Sequence, residues 1–216
     1  MADSPWLLLV YRVPTEPASK RVTVWRDLKR LGSFYLQQCV CVLPDRPDLR
    51  AEIERITEKI EALGGEHTLF EIPRLRVQDE TRIIESFRTL RNNEYQEIIE
   101  ECETKFVKEI EFEHFRQNYS FEEAEEIGQD LEKIRRWFDR IIARDWFGAS
   151  LRPEVEHWIE HCAELLSDFE HTVYLRNPDD ATSEGAEPLQ SILMPRPLPR
   201  RDTSSRSPKE SEGTGT

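Results

Sequence analysis

The sequence predicts an α+β protein. Its parts are an N-terminal ferredoxin-like β-α-β-α-β sandwich, three long antiparallel amphipathic helices and a disordered tail. Three observations predict this. Apolar runs of strand length alternate with helical stretches through residues 1–76. After Asp79 the hydrophobic period becomes 3.6 and stays there, and beyond Asn177 all periodicity ends in a segment rich in Pro, Ser, Arg, Glu and Gly. Strands alternating with helices favour a compact α/β unit, sustained helical period favours a bundle, and a polar aperiodic stretch cannot bury enough apolar surface to order itself. The expected domains are therefore residues 1–76, 77–175 and 176–216.

Trp6–Val13 is a mostly apolar run closed by Pro14, the pattern of a buried strand. Ser19 is placed to cap the following helix, whose apolar positions Val24, Trp25, Leu28 and Leu31 recur at helical spacing up to Gly32. Phe34–Leu43 reads as one strand ending at Pro44-Asp45. Pro47 and Asp48 open a second helix striped by Leu49, Ile53, Ile56, Ile60 and Leu63, which ends at Gly64-Gly65 before a strand at His67–Ile72. Ile83, Phe87, Leu90, Ile98, Cys102, Phe106 and Ile110 mark one long helix. Ser120 precedes a second, Phe121–Asp145, and Pro153 opens a third that carries its stripe to Phe169. Short turns between such helices make them antiparallel neighbours.

Charge is unevenly spread over a chain of formal net charge -13. Residues 1–50 hold 8 Lys/Arg against 5 Asp/Glu, while residues 51–175 hold 16 against 31. Nucleic-acid contact is therefore expected only from the N-terminal third, because the middle repels phosphate. No run approaches the ~20 apolar residues of a membrane span. No cationic segment precedes the short apolar run at Trp6, so no secretory signal is read. Four cysteines in such a chain read as reduced thiols, and the protein is expected in the cytoplasm.

The first helix carries Lys20, Arg21, Arg26, Lys29 and Arg30. Arg26, Lys29 and Arg30 lie at i, i+3 and i+4 and share a face, opposite Val24, Trp25, Leu28 and Leu31. Such a face meets phosphates, is simply solvated, or pairs with the acidic helices. The helix start near Ser19–Arg21 offers N–H groups to a small oxyanion. Cys39 and Cys41, if on one strand, point to the same side ~6.8 Å apart, as a thiol pair or as two buried small hydrophobes. His157 and His161 share a helical face and could hold a divalent cation, though two exposed histidines account for them as simply. Arg140 and Arg144 either clamp an anion or complement a helix end, and Trp146-Phe147-Gly148 anchors a turn in the core. No Walker sequence, dinucleotide fingerprint, nucleophile elbow or zinc-finger spacing occurs. No enzyme, metal or cofactor is expected.

The run Trp6-Leu-Leu-Leu-Val, Pro14-Thr-Glu-Pro17, Arg21-Val-Thr-Val-Trp25-Arg-Asp-Leu-Lys-Arg30-Leu-Gly32, Leu36-Gln-Gln38 and Leu43-Pro-Asp45 resembles the N-terminal domain of the chromate resistance protein ChrB family. Glu94-Tyr95, Glu100-Glu101-Cys102 and Arg144-Asp145-Trp146-Phe147-Gly148 are similar to the same family, so the resemblance covers about residues 5–175. More distantly, the strand–helix–strand element resembles the ferredoxin-like module of PaaX-type repressors and small CRISPR-associated nucleases. The resemblance implies a cytoplasmic regulator of a chromate efflux operon that acts on DNA and is relieved by chromate. Family members with that role carry a second, C-terminal domain, for which this chain shows a tail. Arg21, Trp25, Lys29, Arg30, Gln37 and Arg144-Asp145 are the family-like positions. The implied partners are promoter DNA, chromate or another oxyanion, and a second copy or a partner protein. The competing expectation is a non-enzymatic oxyanion-binding or protein-interaction module without DNA activity.

Overall fold

Four strands and six α-helices make up the described part of the chain, residues 5–178 of a computed structural model. Their order begins β1 (Trp6–Arg12), α1 (Ala18–Leu31), β2 (Phe34–Gln37), β3 (Val40–Pro44), α2 (Pro47–Ala62) and β4 (Glu66–Ile72). The sheet runs β2-β3-β1-β4 with every neighbouring pair antiparallel. Leu9 stands opposite both Cys41 and Leu69, which places β1 at the centre of the sheet.

Strand alternation divides the sheet residues between two cores. Leu7, Leu9, Tyr11 and Val13 turn to one side, where Val24 and Leu28 of α1 and Leu49, Ile53, Ile56 and Ile60 of α2 cover them. Trp6 and Val42 turn to the other side, against Ile83 and Phe87 of the next helix. The module is therefore covered on both faces.

The expected single strand Phe34–Leu43 is two strands, which corrects the β-α-β-α-β order to β-α-β-β-α-β. Gln38 and Cys39 form a turn, and Cys39 takes a positive φ of 65°. Two adjacent glutamines interrupt the apolar run where the chain must reverse, and the hairpin lets β3 pair with β1. Cys39 and Cys41 consequently do not share a strand face: Cys39 is half-buried in the turn, and Cys41 is buried on β3. Burial pushes the Cys41 thiol up to about 12.

Beyond the sheet the chain is helical: α3 (Val77–Glu101), a π-helical segment (Cys102–Phe106), α4 (Val107–Arg116), α5 (Phe121–Ile142) and α6 (Arg152–Arg176). The expected long helix thus runs from Val77 to Arg116 through a π-helical interruption, which periodicity alone does not announce. Ser120 caps α5 by accepting the Glu123 N–H at 3.2 Å. Asn92 accepts the Leu151 N–H at 3.0 Å just ahead of α6. Tyr95, Ile98, Phe106, Leu131, Phe138, Leu166 and Phe169 belong to the core these helices share. Residues through Arg176 form one compact unit. The segment expected to be disordered, 176–216, lies outside the described residues from position 179 onward.

Candidate functional site

α1 starts without a side-chain cap. Its N-cap is Pro17 in extended backbone, and Ser19 lies inside the first turn, where its carbonyl accepts the Thr23 hydroxyl at 2.9 Å. The expected Ser19 cap is therefore displaced by the proline that leads the chain in. Gly32 ends the helix at φ 89°, its N–H reaching the carbonyls of Leu28 and Lys29. A side chain at Gly32 would also press on Trp146, whose ring lies 3.1 Å from where a Cβ would stand.

The five cations of α1 are held in different ways. Lys20 reaches across to α2 and donates to the Leu63 carbonyl at 3.0 Å, so its charge completes the C-terminal end of that helix. Arg30 pairs with Asp27 at 3.4 Å, and Asp27 also takes Lys59 of α2 at 2.6 Å. Lys29 lies 5.7 Å from the centre of the Tyr35 ring. Arg21 and Arg26 are exposed and have no hydrogen-bond or ion-pair partner among the described residues. Arg26, Lys29 and Arg30 share the outward flank of the helix. Trp25, expected on the buried stripe, is 48% exposed instead, and only Val24 and Leu28 of α1 are fully buried.

Beside this flank, α1 and the β2–β3 hairpin enclose an open cleft of about 500 Å³. Ala18, Arg21, Val22 and Trp25 line it from the helix, positions that share one helical face. Tyr11, Tyr35, Gln37, Gln38 and Cys39 line it from the sheet. The hydroxyls of Tyr11 and Tyr35 are 3.0 Å apart and hydrogen-bonded. Sequence inspection missed this pair, because the two tyrosines meet only once the hairpin lays β3 between their strands. Burial pushes both phenols up, most strongly that of Tyr35, which the bond to Tyr11 raises further. Such a group is protonated in the folded protein when the unfolded chain has already ionised near pH ~10. Its contribution is complete below that pH and is lost as pH rises above it. Urea unfolding across pH ~9 to ~11 should show stability falling, and Tyr35→Phe should flatten the fall. An unchanged slope in the variant would contradict the assignment.

The loop after α5 ties the helices to α1. Arg144 donates to the Lys29 carbonyl at 3.4 Å, to Glu94 at 3.3 Å and to the Arg140 carbonyl at 3.0 Å. Asp145 is 6% exposed and accepts the Ala149 N–H at 3.0 Å and the Tyr95 hydroxyl at 3.2 Å. Buried Arg91 pairs with Glu94 at 3.2 Å, and burial pushes its guanidinium down. Trp146 meets Phe87 edge-on and Phe147 packs tilted against it in the aromatic cluster. The Arg144–Gly148 motif therefore positions α1 from behind and does not face the cleft.

The other expected clusters lie outside the cleft lining. His157 is exposed and His161 packs on Trp158, their ring centroids 5.9 Å apart. Neither belongs to a ligand group of three or more among the described residues. Carboxylates of Glu109, Glu113 and Glu123 do converge, but buried Glu113 is satisfied by Asn118 at 2.6 Å and Arg116 at 3.3 Å.

A model of the family "Protein ChrB, N-terminal" matches residues 21–179, from the α1 cations to just past the end of α6. The chain belongs to the ChrB N-terminal family. Protein ChrB of Cupriavidus metallidurans is 27% identical over 158 residues, 71% of this chain and 44% of that protein. The chain thus spans less than half the length of the curated ChrB it matches. No solved structure matches. Among the described residues, no helix of this ChrB-family chain is long and apolar enough to cross a membrane. The ChrB match takes in α1 from Arg21 onward, most of the cleft lining and the Arg144–Gly148 loop, but begins after β1.

Proposed function

We propose that this chain is a cytoplasmic, transcription-associated regulator of chromate resistance that acts on promoter DNA, without catalysis, through the outward flank of α1. The observation that carries it is the charge of that helix: five cations and one carboxylate, on a chain of net charge -13. Arg26, Lys29 and Arg30 supply the phosphate contacts, with Arg21 at their edge. Membership of the ChrB family supports the connection to chromate resistance, and the β-α-β-β-α-β order supports treating the sheet module as ferredoxin-like, followed by long amphipathic helices. Asp27 sets a limit on this flank, since it neutralises part of Arg30 and Lys59.

Phosphate contacts make DNA affinity fall steeply with salt, by a slope of about 0.9 per contact. Replacing Arg26, Lys29 and Arg30 together by glutamate should lower affinity at least about tenfold at moderate salt and reduce the slope by roughly 3. Lys133→Glu, on the distant α5, should change neither. Equal slopes for wild type and the triple variant would refute the assignment to α1.

A further inference from the structure

We propose that the cleft between α1 and the β2–β3 hairpin binds a small ring-bearing organic anion, its acidic group on Arg21 and its ring on Trp25. This site shares only Arg21 with the edge of the outward flank and stands whether or not α1 touches DNA.

Charge gives the first argument. Arg21 has no ion-pair partner among the described residues, although the chain carries 43 acidic side chains and neighbouring Arg30 and Lys59 both use Asp27. No Asp or Glu lines the cleft; its polar groups are Arg21, two glutamines, two tyrosine hydroxyls and the Cys39 thiol. An anion entering it meets one cation and no like charge, and a planar guanidinium suits a carboxylate or a phosphate equally.

The walls give the second. Trp25 and Val22 are 48% and 41% exposed on a helix that buries Val24 and Leu28, so apolar surface has been left open on the cleft side. Arg21 and Trp25 stand at i and i+4, which places their Cβ atoms ~5–6 Å apart. That spacing sets the guanidinium and the indole side by side on one wall, so a single ligand can engage both. On the opposite wall the tyrosine hydroxyls spend one hydrogen on each other, leaving the second hydrogen and spare lone pairs for a ligand. Gln37 and Gln38 add amide donors and acceptors.

Size decides between an inorganic and an organic anion. A cleft of about 500 Å³ lies within the ~300–1,000 Å³ range of small-molecule sites. A bare tetrahedral oxyanion would engage Arg21 and leave Trp25 uncovered. Two sources share the required chemistry: aromatic carboxylates and nucleoside monophosphates.

Calorimetric titration of the full chain separates them. The probes are benzoate, indole-3-carboxylate, AMP and UMP, with sulfate and chromate as ring-free anions. At least one ring-bearing probe should bind saturably and more tightly than either ring-free anion. Heat from the carboxylates or from the monophosphates identifies the source. Arg21→Met should weaken that binding about 10–100-fold, the worth of a charge-assisted hydrogen bond. Trp25→Ala should weaken it as well, whereas Arg55→Met should leave it unchanged. No saturable heat from any of the four ring-bearing probes would overturn the proposal. So would binding that ignores both Arg21→Met and Trp25→Ala, or ring-free anions binding as tightly as the best ring-bearing probe.

Discussion

Phe87→Ala should destabilise the protein by about 3–5 kcal/mol, the range for deleting a well-packed aromatic side chain. Phe87 is 2% exposed and is the hub of the joint between sheet and helices. Its ring lies 6.2 Å from Trp6, 5.8 Å from Phe34, 5.7 Å from Trp146 and 5.3 Å from Phe147, centre to centre. These rings come from β1, β2 and the loop after α5, so one truncation in α3 opens a void that three other segments would have to fill. Rigid surroundings collapse poorly, which places the expected loss toward the upper end. Chemical denaturation of Phe87→Ala beside Phe87→Leu measures this, the leucine variant recovering most of the loss. A loss below ~1 kcal/mol would mean that the joint is loosely packed.

Asp145→Ala should cost about 2–5 kcal/mol by a different mechanism, the stranding of two buried donors. Its carboxylate holds the Ala149 N–H with both oxygens, at 3.0 and 3.1 Å, and accepts the buried Tyr95 hydroxyl. Arg91 is buried nearby, and burial already disfavours its charge, with Glu94 first and Asp145 next among the groups that support it. Removing Asp145 orphans two donors and withdraws one of the countercharges of Arg91. Burial, followed by the Asp145 charge, also pushes the Tyr95 phenol up. Adding Arg91→Met to Asp145→Ala should restore part of the loss, because the stranded cation disappears, and a double-mutant cycle reads that coupling. Strict additivity of the two changes would show that Asp145 acts only through Tyr95 and Ala149.

Both effects bear on function through one connection. Arg144, next to Asp145, donates to the Lys29 carbonyl at the end of α1, and Trp146 abuts Gly32. The helical layer thereby sets the position of the cationic helix and the wall of the cleft. A variant that loosens this loop should weaken binding at α1 without changing any residue of the helix.

Much of the architecture is legible in the sequence for a physical reason. Apolar residues at helical spacing, such as Leu49, Ile53, Ile56 and Ile60 or Ile127, Leu131, Ile134 and Phe138, report a buried face directly. Pro47, Gly32 and Ser120 mark helix ends because of what their backbones or side chains can do. The hairpin is less visible. Gln38-Cys39 lacks the usual Asn-Gly or Asp-Gly turn signal, and a positive φ at cysteine is rare. Trp25 shows the limit of periodicity, which finds the apolar stripe without saying which of its members another element covers. The Tyr11–Tyr35 pair and the Arg91–Asp145 neighbourhood bring together residues 24 and 54 positions apart in sequence. Topology alone creates such meetings.

The most direct test is fluorescence anisotropy of the purified chain with DNA from upstream of its own gene, against a scrambled duplex, at two salt concentrations with and without chromate. Binding should be tighter to the upstream duplex than to the scrambled one, weaken with salt and be relieved by chromate. Equal binding to both duplexes, or none to either at low salt, would contradict it.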